Sequence, residues 1–340
     1  MKVTISDVAR AASVAKSTVS KVLNDSPKIS PETKRKVREI MKQMNYTPSS
    51  IATGLARQSS FTVGLLVDMS KESEFLNQFF YNIIGGIESV IGPLKYELTI
   101  CNVQHSQPED HFMNRLVLNQ RVDGIIANNS VITPELSAEL DRLKFPYISI
   151  GEINAPGSWV DFDNKLGGSL LTGHLLAEGY SRIAFVGGEQ GEQILTRRLN
   201  GYLQALQQAE QPVRPEWIIH GEADEQVGYR AALQLLQLEE RPDSLVCMTN
   251  YVAFGALRAA RELGLDVPAQ LGIAAFDDYP LSPYTTPPLT ALNLDTFQLG
   301  ITSGEWLMER LRSRETPSRQ LLLEPELIPR ESTRRGAGGR

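Results

Sequence analysis

The sequence is poor in the features that would make a protein secreted, metal-binding or catalytic. Its two cysteines, Cys101 and Cys247, lie far apart and outside any metal-ligand spacing. Both sit in apolar strand-like runs, where buried free thiols in a reducing compartment are expected. The four histidines, His105, His111, His174 and His220, are scattered. No run approaches the roughly 18 apolar residues of a membrane span, so no membrane partner is expected. The opening Met1-Lys2-Val3-Thr4 has no apolar export core, which points to a cytoplasmic chain. There is no Gly-x-Ser-x-Gly elbow and no Walker loop. Gly187-Gly188-Glu189-Gln190-Gly191 lacks the spacing of a dinucleotide loop and reads as a strand-end turn. Asp277-Asp278 has no further ligands nearby in sequence. The expectation is a non-enzyme with no cofactor and no metal.

What is present is a lopsided charge distribution. Apolar residues make up 41% and charged residues 22%, ordinary for a globular chain, and the net charge is −6. Residues 1–58 hold 11 Lys/Arg against 4 Asp/Glu, whereas the rest hold 23 against 36. A basic head on an acidic body suggests that the head meets a polyanion. A merely solvated charged helix would give the same count.

The head carries helix punctuation. Thr4-Ile5-Ser6-Asp7 reads as a capping box, followed by Ile5, Val8, Ala9 and Ala12 at helical spacing. After a break at Ser13-Val14-Ala15, Lys16 to Leu23 forms a second short helix with Val19, Val22 and Leu23 inward. Asn24-Asp25-Ser26-Pro27 ends it. Ser30 and Pro31 open a third helix with the stripe Val37, Ile40, Met41 and Met44. Two short helices braced by a third is the helix-turn-helix plan, though any small three-helix bundle would share it. The second helix exposes Lys16, Ser17, Thr18, Ser20 and Lys21, side chains able to bond base edges or phosphates.

These residues carry a specific resemblance. Thr4 to Arg10, Lys16-Ser17-Thr18-Val19-Ser20-Lys21-Val22-Leu23-Asn24, Ile29-Ser30-Pro31-Glu32-Thr33 and Asn45-Tyr46-Thr47-Pro48 resemble the DNA-binding head of the LacI–GalR family of bacterial repressors. The resemblance implies that Lys16, Ser17 and Lys21 read bases, and that Thr18 and Ser20 touch phosphate. Thr4, Asn24, Ser30, Ala52 and Leu55 complete the implied DNA contacts, Leu55 as a minor-groove wedge from the hinge. Two departures stand out: Ser13 replaces the usual turn glycine, and Ala15 replaces the usual serine cap. Thr53 also stands where an arginine is common. The expected domains are a head at 1–47, a hinge helix or linker at 48–60, a two-lobed body at 61–333 and a disordered tail at 334–340.

In the body, strand-like runs at 62–68, 96–102, 123–127, 147–150, 182–187, 245–248 and 271–276 alternate with amphipathic stretches. Those stretches fall at 79–92, 109–119, 165–178, 197–209, 226–238 and 252–263. The alternation predicts α/β architecture with parallel sheets, and too many strands for one small sheet. Asn77-Gln78-Phe79-Phe80, Asp161-Phe162-Asp163-Asn164, Arg198-Leu199-Asn200-Gly201-Tyr202 and Phe276-Asp277-Asp278 are similar to segments of the same family. The resemblance implies two Rossmann-like lobes of the periplasmic-binding-protein kind, with crossovers near 158–161, 289–293 and 321–325. Lobe 1 would span about 61–158 plus 293–321, and lobe 2 about 162–289 plus 325–333. The implied ligand residues are Phe79, Phe80, Asp163, Asn164, Arg198, Thr249, Asn250 and Asp277. Each also has a plain reading: Arg198 on a helix surface, Asp277 in a turn, the Phe pair in the core. Gly151 stands where relatives carry a larger side chain, suggesting room for a di- or oligosaccharide. The implied partners are a pseudo-palindromic double-stranded operator, a small effector, and a second copy in a homodimer. A sugar inducer is the first expectation, and a purine or sugar-phosphate corepressor the alternative.

Overall fold

The computed structural model describes residues 3–47, 59–68, 78–103, 111–313 and 315–335. Most of the hinge, with Ala52 and Leu55, lies outside the described residues. The head has three helices, α1 (Ile5–Ala11), α2 (Lys16–Leu23) and α3 (Pro31–Gln43). Thr4 caps α1 in a full capping box with Asp7, and Ser30 caps α3 by accepting from the Thr33 N–H. Their small core is Val8, Ala9, Ala12, Val19, Val22 and Val37, the residues that helical spacing turned inward. Between α1 and α2 the chain turns at Ser13 with φ +56°, a left-handed conformation that costs a non-glycine residue about 1–2 kcal/mol. Ala15 stands at the N-cap of α2 and offers no side-chain bond. Ala15→Ser supplies that bond, and is expected to stabilise α2 by about 1 kcal/mol. Amide exchange of the full chain should then show about fivefold slower opening across α2.

The body contains two six-stranded sheets. The first has the order β11-β5-β4-β3-β1-β2, built from β1 (Thr62–Val67), β2 (Glu97–Asn102), β3 (Gly124–Asn128), β4 (Tyr147–Ile150), β5 (Trp159–Phe162) and β11 (Gln320–Leu323). The second has the order β12-β10-β9-β8-β6-β7, built from β6 (Ile183–Val186), β7 (Ile218–Ile219), β8 (Ser244–Cys247), β9 (Gly272–Phe276), β10 (Thr290–Asn293) and β12 (Glu326–Ile328). All pairings are parallel except β10 with β12. Central strands such as β4, β6, β8 and β9 are buried along their whole length. Burial on both faces explains why they read as unbroken apolar runs instead of alternating ones.

At its first two crossings the chain passes between sheets later than the sequence suggested. Trp159–Phe162 is a strand of the first sheet, so the first passage comes at Asp163. Thr290–Asn293 is a strand of the second, so the return comes at Leu294–Asp295; the third passage is Glu324–Pro325. The boundaries expected near 158–161 and 289–293 are thus corrected, because both segments are paired strands. The tail is also partly fixed: Arg335 stacks on Tyr180 at 4.0 Å and donates to the Gly179 carbonyl at 3.0 Å. Arg334 and Arg335 therefore do not belong to a disordered segment.

Helices pack in pairs beside the sheets: α4 (Gln78–Ile91) with α10 (Thr296–Arg312), α6 (Asn164–Ala177) with α7 (Gln193–Gln208), and α8 (Glu225–Leu236) with α9 (Asn250–Glu262). A further helix, α5 (Pro134–Arg142), follows β3, and Met113–Leu118 forms a π-helical segment. Glycine sets the closeness of the α6–α7 pair. A Cβ on Gly201 would lie 2.0 Å from the Lys165 carbonyl oxygen, and one on Gly168 2.1 Å from that of Arg198. Neither carbonyl can yield without moving its helix. Gly201→Ala is expected to cost about 1–3 kcal/mol, read as a lowered urea midpoint of the body.

Candidate nucleic-acid interface and effector site

The second helix of the head presents Lys16, Ser17 and Lys21 as exposed, with Thr18 and Ser20 half-buried. Three other implied DNA contacts have local work to do. Thr4 donates its hydroxyl to Asp7 at 2.7 Å, Ser30 shares a 2.9 Å bond with the Thr33 hydroxyl, and Asn24 donates its amide to the Ser20 carbonyl at 3.1 Å. These bonds hold helix ends, so any DNA contact they make uses their remaining lone pairs or N–H groups.

The segment arriving from the head is tied to the body at one carboxylate. Asp123, just before β3, accepts from the backbone N–H of Ser60 at 2.7 Å and of Phe61 at 3.0 Å, and from the Ser60 hydroxyl at 2.9 Å. The Ser59 hydroxyl donates to the same group. Phe61 then adopts φ +52° as the chain enters β1. Charge-assisted bonds of this kind are about twice as strong as neutral ones.

In the body, the structure gathers a polar cluster beyond the carboxyl ends of the second sheet's strands, where ligands bind in open α/β folds. Arg198, on α7, is only 3% exposed. Its Nε donates to Asn164 Oδ1 at 2.9 Å and its Nη1 to the Met248 carbonyl at 2.5 Å. Nη2 lies 3.8 Å from Asp277 Oδ1, and the guanidinium stacks 3.9 Å over the Phe276 ring. The reading of Arg198 as a helix-surface arginine is therefore excluded. Asp277 follows β9 with φ +69°, a strained conformation for a residue with a Cβ. Asn164, at the start of α6, also donates to Asp161 Oδ1 at 3.3 Å and to the Phe162 carbonyl at 3.1 Å.

The other expected ligand residues are placed differently. Asp163 caps α6 by accepting from the Leu166 N–H at 2.8 Å. Thr249 caps α9 and donates to the Ala223 carbonyl at 3.1 Å, and buried Asn250 accepts from the Tyr251 N–H at 3.0 Å. Phe79 and Phe80 are half-buried and pack against the core of the first sheet, as the plainer reading had it. The space inferred beside Gly151 is filled: a Cβ there would meet Asn129 at 2.6 Å, and φ is +94°. Gly151 is a conformational glycine, and its smallness opens no room for a larger ligand.

Three contributors escaped the sequence reading. Asp161 accepts from the backbone N–H of Phe162 at 2.7 Å and of Glu152 at 3.0 Å. Glu152 and Arg197 form an ion pair with Arg197 Nε donating at 3.0 Å and Nη2 at 2.5 Å. A second arginine, Arg197, beside Arg198 was the available signal, but its pairing with Glu152 depends on which sheet each segment serves.

Burial pushes the carboxyl of Asp277 above the usual carboxylate range, with Arg198 pulling it back. Burial does the same to Asp161, against the pull of the Glu152 and Phe162 N–H groups and of Arg198. For a raised carboxyl, the stability contribution is full below its unfolded value, near pH 4, and is lost as pH rises through the folded one. Relative to Asp277→Asn, the wild-type chain should therefore lose stability as pH rises from about 4 towards 7. Urea unfolding of both chains across that range measures the difference, and an opposite slope contradicts it.

Among the described residues, no helix is long and apolar enough to cross a membrane, and no cluster of three or more His, Cys, Asp or Glu is disposed to hold a metal. Residues 4–49 match the pattern of bacterial regulatory proteins of the lacI family, and residues 172–333 that of a periplasmic binding protein-like domain. The HTH-type transcriptional repressor PurR of Aliivibrio salmonicida is 30% identical over 97% of this chain and 98% of its own length. Its counterpart in Vibrio vulnificus is 30% identical over 98% and 99%. Among solved structures, the lac repressor dimer bound to operator and the anti-inducer ONPF superposes with a TM-score of 0.84 at 26% identity, covering 98% of this chain and 99% of that one. A complex of the transcriptional regulator CelR with cellobiose gives 0.74 at 27%, covering 97% and 100%. The buried guanidinium cluster, the helix-turn-helix head and these full-length similarities converge: the chain belongs to the lacI family of bacterial regulatory proteins and is a DNA-binding transcriptional repressor.

Proposed function

We propose that the chain represses a carbohydrate-utilisation operon and is released when a neutral sugar binds between its two lobes. The observation that carries the sugar assignment is the cluster around Arg198. A buried guanidinium, two carboxylates and Asn164 offer both charged donors and acceptors, which suit hydroxyl groups acting as both. A structural relative is a complex with cellobiose, and another of the lacI family holds bound ribose. A corepressor reading, with a purine as ligand, is favoured by the 30% identity to PurR repressors. It keeps the same site and reverses the sign of the response.

In this reading a cytoplasmic homodimer sets two heads on a pseudo-palindromic operator. Sugar binding changes how the lobes sit. The change reaches the hinge through the segment held by Asp123 and lowers operator affinity. The effector shifts the equilibrium only by its differential affinity for the two states. Leu281 and Tyr284, 61% and 82% exposed, are the most exposed large apolar side chains among the described residues and suit a subunit contact.

A thermal-shift screen with cellobiose, lactose, ribose, hypoxanthine and guanine, paired with operator binding, separates the readings. A sugar that raises the melting temperature and weakens operator binding supports the proposal. A purine that strengthens operator binding replaces it. Lys16→Ala with Lys21→Ala should weaken operator binding by 10-fold or more, at about 1–3 kcal/mol for each lost base contact. The screen response of that variant should be unchanged; joint loss of both functions refutes the division of labour between head and body.

A further inference from the structure

The ion pair between Glu152 and Arg197 has a position that its chemistry makes informative. Glu152 follows β4 of the first sheet, and Arg197 lies on α7, which belongs with the second. Among the described residues this ion pair joins the two lobes. Arg197 neighbours Arg198 on the same helix, but its side chain is 45% exposed where that of Arg198 is 4% exposed. Of the two guanidiniums, Arg197 is the one an incoming anion reaches.

Glu152 is fixed from both sides. Its N–H donates to Asp161 at 3.0 Å and its carbonyl accepts from Asn129 at 3.2 Å, while the left-handed turn at Gly151 sets its direction. These bonds fix the backbone from which the side chain starts, and both carboxylate oxygens meet the guanidinium fork. Asp161 connects the pair to Asn164 and so to Arg198. Both guanidiniums of the site are thus committed to carboxylates. Around them stand Glu152 and Asp277, paired with Arg197 and Arg198, and Asp161, which accepts from the Glu152 N–H and the Asn164 amide.

We propose that Glu152 restricts the effector to uncharged molecules, by occupying the Nε and Nη2 donors of Arg197 across the two lobes and balancing its charge, so that a phosphate finds neither a free fork nor a net positive site. This rests on the cleft being the effector site, and it narrows that reading to neutral sugars or neutral bases, excluding sugar phosphates. A phosphorylated ligand would have to displace the Glu152 carboxylate from a two-bond contact and then sit among the remaining ones.

The test uses the full chain and inorganic phosphate as the probe, titrated against chloride at constant ionic strength. Binding is followed by calorimetry and by melting temperature. The wild type should show no saturable phosphate response. Glu152→Gln, which keeps the shape and removes the charge, should gain one, with affinity at least tenfold above the wild type. Glu152→Gln combined with Arg197→Gln should lose it again. Saturable phosphate binding by the wild type, or no gain in a folded Glu152→Gln chain, overturns the proposal. Should Glu152→Gln fail to fold, the exchanged pair Glu152→Arg with Arg197→Glu restores the contact. That chain is expected to fold and ignore phosphate, and phosphate uptake by it also overturns the proposal. No sugar or DNA enters this experiment, so its failure is distinct from failure of the sugar screen.

Discussion

The body is organised around the cost of burying one guanidinium. An arginine at 3% exposure is expensive unless every face of the group is met. Here Asn164, the Met248 carbonyl, Asp277 and the Phe276 ring meet it. The partners come from three separate stretches of chain: the start of α6, the end of β8 and the end of β9. They converge only because α6 and α7 approach closely enough for backbone to touch at Gly168 and Gly201. The left-handed backbone at Asp277 is the local strain that this convergence demands. Removing one partner leaves a charge behind, which is why such clusters behave as units.

The same convergence places the cluster where the chain changes sheets. The passage at Asp163 lies between Asp161, which belongs to the first sheet, and Asn164, which opens the second lobe's first helix. Hydrogen bonds among these neighbours therefore span the boundary that lobe movement must bend. Rearrangement about a few connecting residues is the usual way two packed layers change their relative pose. On the proposed reading, a ligand held by Arg198 and Asn164 acts close to that pivot.

Much of the fold was legible because it rests on local chemistry. The head could be read from Thr4, Ser30 and Pro31 as helix starts and from Val8, Val19 and Val37 as inward residues, and the structure uses each in that way. The central strands were legible as apolar runs. The helix α10 was not, because between Leu299 and Leu307 its buried face carries only Gly300, Thr302, Ser303 and Gly304, a gap in the apolar period. Close packing of α10 against α4 needs small side chains, and small side chains erase the periodic signal. Strands β5, β10, β11 and β12 are only three or four residues long and gain their pairing from distant segments. Of the candidate site, Arg198, Asn164 and Asp277 were singled out through family resemblance and the structure brings them together, while Glu152 and Arg197 become partners only once two lobes meet.

The tether at Asp123 bears on how such regulators can be recombined. The carboxylate belongs to the body, whereas Ser59, Ser60 and Phe61 arrive with the segment that leads from the head. A chimera cut after position 61 would import a foreign tripeptide onto this acceptor, and one cut before position 59 would keep donor and acceptor from a single parent. Exchange of heads is thereby favoured upstream of the two serines, where a new head can be spliced on without loosening the contacts to Asp123.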